Sequence, residues 1–482
     1  MFLSSDTGGG HRASAESLAK QFQIHFPGST YELLDIMSDH GPPPYNTLVP
    51  AYKHLSSRPQ QWKLVYSVSN LETLDVLSDI YLKVSCESAI RKRIASYNPD
   101  VVVSVHPLMT KVPVLCCNKI SMETEKHLPM FTVVTDLGSG HCLWFSPDVE
   151  KVFIASDQIR HLARTRGKVP EDKLVQFGLP IRHEFGLHAE ELGDRMSTAG
   201  RLYRKKIKEK LGLSPERRTI LVMGGGEGVG SLLNVVEALF IELFKNEVEA
   251  TIVVICGRNG KLRDDFERKD WVLTILRHLN PLMGMLQTLI HGIPFIPNIF
   301  QSDVHTLKAD KIQVIPLGFV SQMAEFMVAA DVLISKAGPG TIAEAAALGL
   351  PVMLTSYLPG QEEGNVDFVV DGRFGAFRPD YEPVQVACEV VRWLLNENEL
   401  CLMSHAAKAA GAPHAASHIA RMIGESTYRW KDVNENSVVR KNGKGGKSIL
   451  SHHHSLENWS PMCTMFASQR GRSVTTSRVM VS

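Results

Sequence analysis

The sequence predicts an α/β chain built as two Rossmann-like domains that face each other across a cleft. Over residues 1–210, short β-branched runs alternate with helical stretches. Val101–Val105, Phe131–Val134 and Lys151–Ile154 read as buried parallel strands, each leading into a polar or glycine-containing turn. A second series begins at Thr219–Met223, continues with Thr251–Ile255 and Val332–Ile334, and ends near Val352–Leu354. The length of 482 residues agrees, because ~150 residues per domain gives two or three domains. The expected division is 1–210, 211–431 and a polar, Ser-rich and basic tail over 432–482 that reads as disordered. The basic stretch Gly200–Pro215 is the expected linker, and a ligand cleft is expected between the domains.

Composition removes several function classes. Lys and Arg total 52 against 51 Asp and Glu, which argues against bulk attraction to nucleic acid. The eight cysteines (Cys86, Cys116, Cys117, Cys142, Cys256, Cys388, Cys401, Cys463) form no C-x-x-C pair, so neither a zinc knuckle nor a thioredoxin-like motif is expected. No apolar run reaches the ~18 residues of a spanning helix, so contact with a membrane would be at its surface. Met1–Ser5 runs directly into a glycine loop without signal-peptide regions. The expectation is that the start of the first strand, and any targeting peptide, lies upstream.

Three loops carry candidate chemistry. In the first, Ser5–Ala15, glycines precede an amphipathic helix with Leu18, Phe22 and Phe26 on its apolar side. His11 at the loop exit, with a pKa expected near neutrality, could take a proton from an alcohol, or could only cap the helix. The second, Met223–Gly230, leaves backbone N–H groups for a phosphate or nucleoside, as an ordinary Rossmann turn also would. The third, Ser335–Ala346, joins a strand end, a Gly-Pro-Gly turn and an alanine-rich helix whose N-terminus suits a pyrophosphate. There Glu344 either closes a capping box with Thr341 or accepts from a ribose diol. Leu358–Asn365 gathers Gln, Glu and Asn of the kind that read sugars, although a solvated loop has the same composition. The triplet His452–His454 could bind metal weakly but reads as solvated tail.

These motifs together resemble the monogalactosyldiacylglycerol synthases of plants and algae. The residues are Asp6–Glu16, Ser104–Met109, Val134–Leu137, Phe177–Arg182, Gly224–Gly228, Ile255–Asn259, Lys336–Ala345 and Pro359–Val366, in an ordered series over roughly 3–425. The resemblance implies a GT-B glycosyltransferase fold. It implies inverting transfer of galactose from UDP-galactose to diacylglycerol at the plastid envelope, with no metal or cofactor required. It makes His11 the general base and puts His106 and Asp136 on the acceptor side. Gly225, Gly226 and Glu227 would lie beside the nucleotide and Phe319 against uracil. Gly338, Pro339, Gly340 and Thr341 would meet the pyrophosphate, Glu344 the ribose, and Gln361, Glu362 and Asn365 the galactose. The helix dipole could stabilise the leaving group. Further candidate partners are a membrane surface, anionic lipids and a second copy of the chain, but not nucleic acid.

Two stretches depart from the family. Trp271–Lys311 looks inserted; a retained intron, an algal loop or an extra membrane contact would each account for it. Leu273, Ile275, Leu276, Leu279 and Leu282 could form an apolar face that Pro281 and Gly284 interrupt. Residues 42–85, the family's lipid-contact region, match loosely, with Pro42–Tyr45 and Trp62 as candidates for a membrane-facing loop or a structural proline turn. Rival readings are a diacylglycerol glucosyltransferase, an N-acetylglucosaminyl transferase, a UDP-sugar 2-epimerase and a non-catalytic lipid-binding paralogue.

Overall fold

The computed structural model describes residues 1–7, 9–224, 232–279 and 311–443. Met1–Asp432 form one compact unit, and residues 433–482 a second. Within the first unit lie two six-stranded sheets. One comprises β1 (Phe2–Leu3), β2 (Leu33–Leu34), β3 (Val102–Ser104), β4 (Met130–Val133), β5 (Val152–Ile154) and β6 (Leu174–Gln176), in the order β2-β1-β3-β4-β5-β6. The other comprises β7 (Arg218–Met223), β8 (Ala250–Ile255), β9 (Ile312–Leu317), β10 (Val332–Lys336), β11 (Val352–Ser356) and β12 (Gly375–Phe377), in the order β12-β11-β10-β7-β8-β9. Every described pairing is parallel.

Strand alternation explains how each sheet is covered on both faces. In the second sheet Ile220, Val222, Val332, Ile334 and Met353 enter the core that holds Trp393, whereas Leu221, Leu333, Val352 and Leu354 enter the core on the opposite face. In the first sheet Val102, Met130 and Val152 pack with Trp144, and Val103, Phe131 and Phe153 pack on the other side. Ala416, Ile419 and Ile423, from the helix Ala415–Gly443, join that last group, so the chain returns to the N-terminal sheet after building the second.

The expected linker is a helix, Thr198–Lys210. Its basic residues read as solvated in sequence because their common counter-ion lies over a hundred positions away. Arg204 reaches Asp331 at 2.6 Å and Lys208 at 3.6 Å, with both cations buried. They hold the Asp331 carboxyl well below its ordinary range against the cost of burial. Leu179, Ile181, Phe185 and Ile207 share a core with Leu333, so the crossing into the second sheet follows β6 near residue 180, not 210. The first compact unit ends at Asp432, beside the expected tail boundary, but the last helix continues past it to Gly443, so the first residues of the expected disordered tail are helical. Of the supposed insertion, Trp271–Leu279 is helical, with Trp271 near Phe240 at 4.8 Å between ring centres. Residues 280–310, and the tail from 444 with His452–His454 and Cys463, lie outside the described residues.

The two halves of the unit meet at a pair of glycines. A Cβ on Gly138 would lie 1.8 Å from the Gly364 carbonyl oxygen, so neither backbone can move aside for a side chain. Gly138→Ala is therefore expected to destabilise the chain by about 1–3 kcal/mol, as overpacking of a rigid contact does. A denaturant titration checks this; an unchanged midpoint would show that the two loops are free to part.

Candidate functional site

The C-terminal ends of β1, β3 and β4 bring His11, His106 and Asp136 into one buried cluster. Gly9 holds a left-handed conformation (φ 75°) at the N-cap, which turns the loop into the helix Gly10–His25 and puts His11 in its first turn. The His11 ring stands 4.7 Å from that of His106 and 5.8 Å from that of Trp144. Its Nδ1 shares a 2.8 Å hydrogen bond with the Thr135 hydroxyl. His106 Nδ1 accepts from the Leu108 N–H at 3.3 Å, which leaves its Nε2–H to donate to Thr7 Oγ1 at 3.0 Å. Asp136 Oδ2 accepts from the Trp144 indole N–H at 2.6 Å.

Burial dominates the electrostatics here. It lowers His11 to about 4, a correction to the near-neutral value expected from its loop position. It depresses His106 well below its ordinary value, with His11 and His141 adding to the effect. It raises Asp136 to about 7; the Trp144 hydrogen bond opposes this and the Glu362 charge adds to it. At pH 7 both imidazoles are therefore neutral, and Asp136 is poised between its two forms.

The second half contributes the ends of β9, β10 and β11. The helix Pro339–Ala347 is capped by Gly338 and has proline in its first turn, so the N–H groups of Gly340 and Thr341 point out of its positive end. A Cβ on Gly340 would meet nothing within 4 Å. Because Gly338 is the N-cap, Thr341 and Glu344 do not form a capping box. Both Glu344 oxygens instead accept from Arg182, at 2.7 and 2.8 Å, in a bidentate pair. Burial raises the Glu344 carboxyl, and Arg182 pulls the other way. The ribose reading of Glu344 thus meets a carboxylate already engaged.

Phe319 follows β9 with its ring 79% exposed. Of the loop after β11, the buried Glu362 bonds the Lys336 ammonium through one oxygen and the Leu358 N–H, at 2.9 Å, through the other. Gln361 Oε1 is buried and has no hydrogen-bond partner among the described residues. Asn365, expected beside galactose, is fully buried: its Oδ1 accepts from the N–H groups of Leu137 (3.3 Å) and Gly138 (3.1 Å), and its Nδ2 donates to the Ala337 carbonyl (3.0 Å). Its Oδ1 thus joins the halves, while the Nδ2 bond stays within the second. Gly225, Gly226 and Glu227 lie outside the described residues. Sequence reasoning assigned no role to Thr135, Trp144, Lys336 or Arg182, although all but Trp144 stand inside motifs it quoted. No cluster of three or more His, Cys, Asp or Glu side chains suited to a metal occurs among the described residues.

Comparison with known proteins identifies this architecture. The family model described as monogalactosyldiacylglycerol (MGDG) synthase matches residues 11–181, and that of the glycosyltransferase family 28 C-terminal domain matches 295–419. Monogalactosyldiacylglycerol synthase 2, chloroplastic, of Arabidopsis thaliana is 31% identical over 88% of this chain and 80% of its own length. The chloroplastic synthase of Spinacia oleracea is 31% identical over 88% of this chain and 72% of its own. Among solved structures, Acinetobacter baumannii MurG aligns over 88% of this chain and 98% of its own, with a TM-score of 0.51 at 16% identity, a likeness of fold. With two parallel sheets facing across one seam, and with relatives of this identity and coverage, the chain is a GT-B glycosyltransferase and belongs to the monogalactosyldiacylglycerol synthase family.

Proposed function

We infer that the chain transfers galactose from UDP-galactose to the free hydroxyl of 1,2-diacylglycerol, making monogalactosyldiacylglycerol in the plastid, at the envelope. Family membership supports the reaction and the compartment. The observation that carries the mechanism is the buried His11–His106–Asp136 cluster, held by the Gly138–Gly364 seam against the loops that end β10 and β11. In an inverting displacement the lipid oxygen attacks the anomeric carbon while its proton passes to His11. The bond from that carbon to the diphosphate breaks, and UDP leaves with the electron pair. His11 is suited to receive the proton because burial keeps it neutral and Thr135 fixes its ring. The Gly340 and Thr341 N–H groups, at the positive end of the helix, face the charge that grows on the diphosphate. Phe319 offers an open face to the uracil.

The lipid must come from a bilayer, and no described helix is long and apolar enough to cross one. The helices Pro59–Ser69 and Glu72–Ser96 instead carry an outward apolar surface that includes Leu64, Val68, Leu77, Ile80 and Val84, the last 83% exposed. A patch of this kind marks an interaction face. The exposed cations Lys53, Arg58 and Lys63 in the same stretch of sequence favour an anionic membrane surface. This reading makes the region around residues 42–85 the docking face; Trp62 there lies on the helix Pro59–Ser69 and packs against Tyr52 at 5.1 Å between ring centres.

Purified protein given labelled UDP-galactose and diacylglycerol vesicles should form a galactolipid. His11→Ala should cut that rate ~10²-fold or more and leave UDP affinity, measured by calorimetry, within a factor of about two. Parallel loss of both would make His11 a structural residue. Asp136 gives a separate test. Its folded pKa stands above the ordinary carboxylate value, so between about 4 and about 7 the folded chain holds a proton that the unfolded chain has lost. Its contribution to stability therefore falls as pH rises through that window. Asp136→Asn should raise the thermal midpoint more at pH 8 than at pH 5; an equal effect at both would mean that the carboxyl titrates normally.

A further inference from the structure

A cation beside the positive end of a helix is electrostatically misplaced unless an anion joins it. Lys336 stands in that position. It ends β10, where the register against β11 slips by one residue: Ser335 lies against Leu354, but Lys336 lies against Ser356. Irregularities of this kind re-aim a side chain at a strand end. The Gly338 N–H then donates to the Lys336 carbonyl at 2.8 Å, and the lysine stem comes to lie beside the N-cap of the helix Pro339–Ala347. A Cβ on Gly338 would stand 3.6 Å from Lys336 Cε, 3.9 Å from its Nζ and 3.8 Å from Thr341 Oγ1. An ammonium and a hydroxyl thus converge on the end of the helix.

The partner of Lys336 does not cancel this arrangement. Glu362 accepts from the ammonium at 2.5 Å through one oxygen and from the Leu358 N–H at 2.9 Å through the other. The carboxylate side chain is 6% exposed and the lysine side chain 35%, so the pair seals its negative member and leaves its positive member open. An ammonium has several N–H donors, and among the described residues no acceptor other than Glu362 meets this one. Beside it, a Cβ on Gly340 would meet nothing within 4 Å, so there is room at the first turn of the helix. An open ammonium, a hydroxyl and a helix N-terminus directed at one place suit a ligand of concentrated negative charge.

Building on the UDP-galactose reading above, we propose that Lys336 is the cation of the donor site. Its ammonium, held by Glu362, donates to the diphosphate where that group meets the helix Pro339–Ala347. When the bond from the anomeric carbon to the diphosphate breaks, the electron pair stays on the phosphate oxygen. The ammonium stabilises the charge that gathers there and keeps its own protons, so Lys336 is a catalytic residue for the leaving group as His11 is for the lipid hydroxyl.

The test is calorimetric binding of UDP, and of uridine by displacement, to the wild type, Lys336→Met and Lys336→Arg. Lys336→Met should weaken UDP by about 10- to 100-fold, as loss of a hydrogen bond to a charged group does, and leave uridine within a factor of about two. Lys336→Arg should restore most of the UDP affinity. In galactosyl transfer, Lys336→Met should lower kcat by about 10²-fold, because the charge is greatest once the bond has broken. Glu362→Gln breaks the same ion pair but keeps the cation, so UDP affinity should not fall. Lys336→Met combined with Glu362→Gln leaves no buried charge unpaired, which keeps the test open if the single variant fails to fold. Unchanged UDP affinity without the lysine, equal weakening of UDP and uridine, or the same loss in Glu362→Gln would each overturn the proposal. A wild-type protein that shows this pattern with UDP but makes no galactolipid would keep the contact and overturn the reading of the reaction; one that binds no UDP would overturn both.

Discussion

The site depends on one close approach of two backbones. Gly138 and Gly364 touch so tightly that no Cβ fits between them, and the groups around that contact are spent in holding it. Asn365 bonds the Leu137 and Gly138 N–H groups on one side and the Ala337 carbonyl on the other, while the Gly364 N–H donates to Ser139 Oγ at 2.9 Å. Asp136 stands two residues before Gly138, and Glu362 two before Gly364, so the seam fixes a carboxyl of each half relative to the other. A transfer reaction needs its reacting atoms near contact distance, and a small misplacement is expensive. A seam of backbone contacts and fully satisfied amides gives that precision better than long, mobile side chains would.

Exclusion of water is the second constraint, and it follows from the first. Trp144, Thr7 and Thr135 close around His11, His106 and Asp136. The same burial that makes His11 a weak base keeps it neutral, and so able to receive a proton. It also leaves Asp136 responsive to any charge that enters the cleft, Glu362 included. Around Asp331, by contrast, a buried charge is met by close partners of opposite sign, where Arg204 and Lys208 converge. The contrast separates an ion cluster from a group of buried side chains left titratable.

Much of the fold was legible because buried parallel strands are runs of β-branched residues: the runs at 101–105, 131–134, 219–223 and 251–255 each became a strand. Leu33–Leu34 and Gly375–Phe377 were not, since strands of two or three residues carry no period to detect. The helix Thr198–Lys210 was read as a linker because charge counts as exposure when the partner carboxylate is distant in sequence. In the site, the glycine loops and their strand ends were visible as motifs. The bonds of Asn365 to Leu137 and Gly138 and of Glu344 to Arg182 were not, because a side chain committed to a partner distant in sequence looks like one free for ligand. The low pKa of His11 was hidden for the same reason, since its cause is the packing of Trp144 and His106 from other strand ends.

The account turns on whether Asn365 sets register or touches sugar. The direct measurement is steady-state galactosyl transfer by Asn365→Ala beside calorimetric UDP binding. If the carboxamide aligns the halves, kcat should fall by at least about tenfold, as misaligned reactants predict, with UDP affinity unchanged within a factor of about two. An unchanged kcat with a raised KM for UDP-galactose would contradict the account and return Asn365 to the galactose.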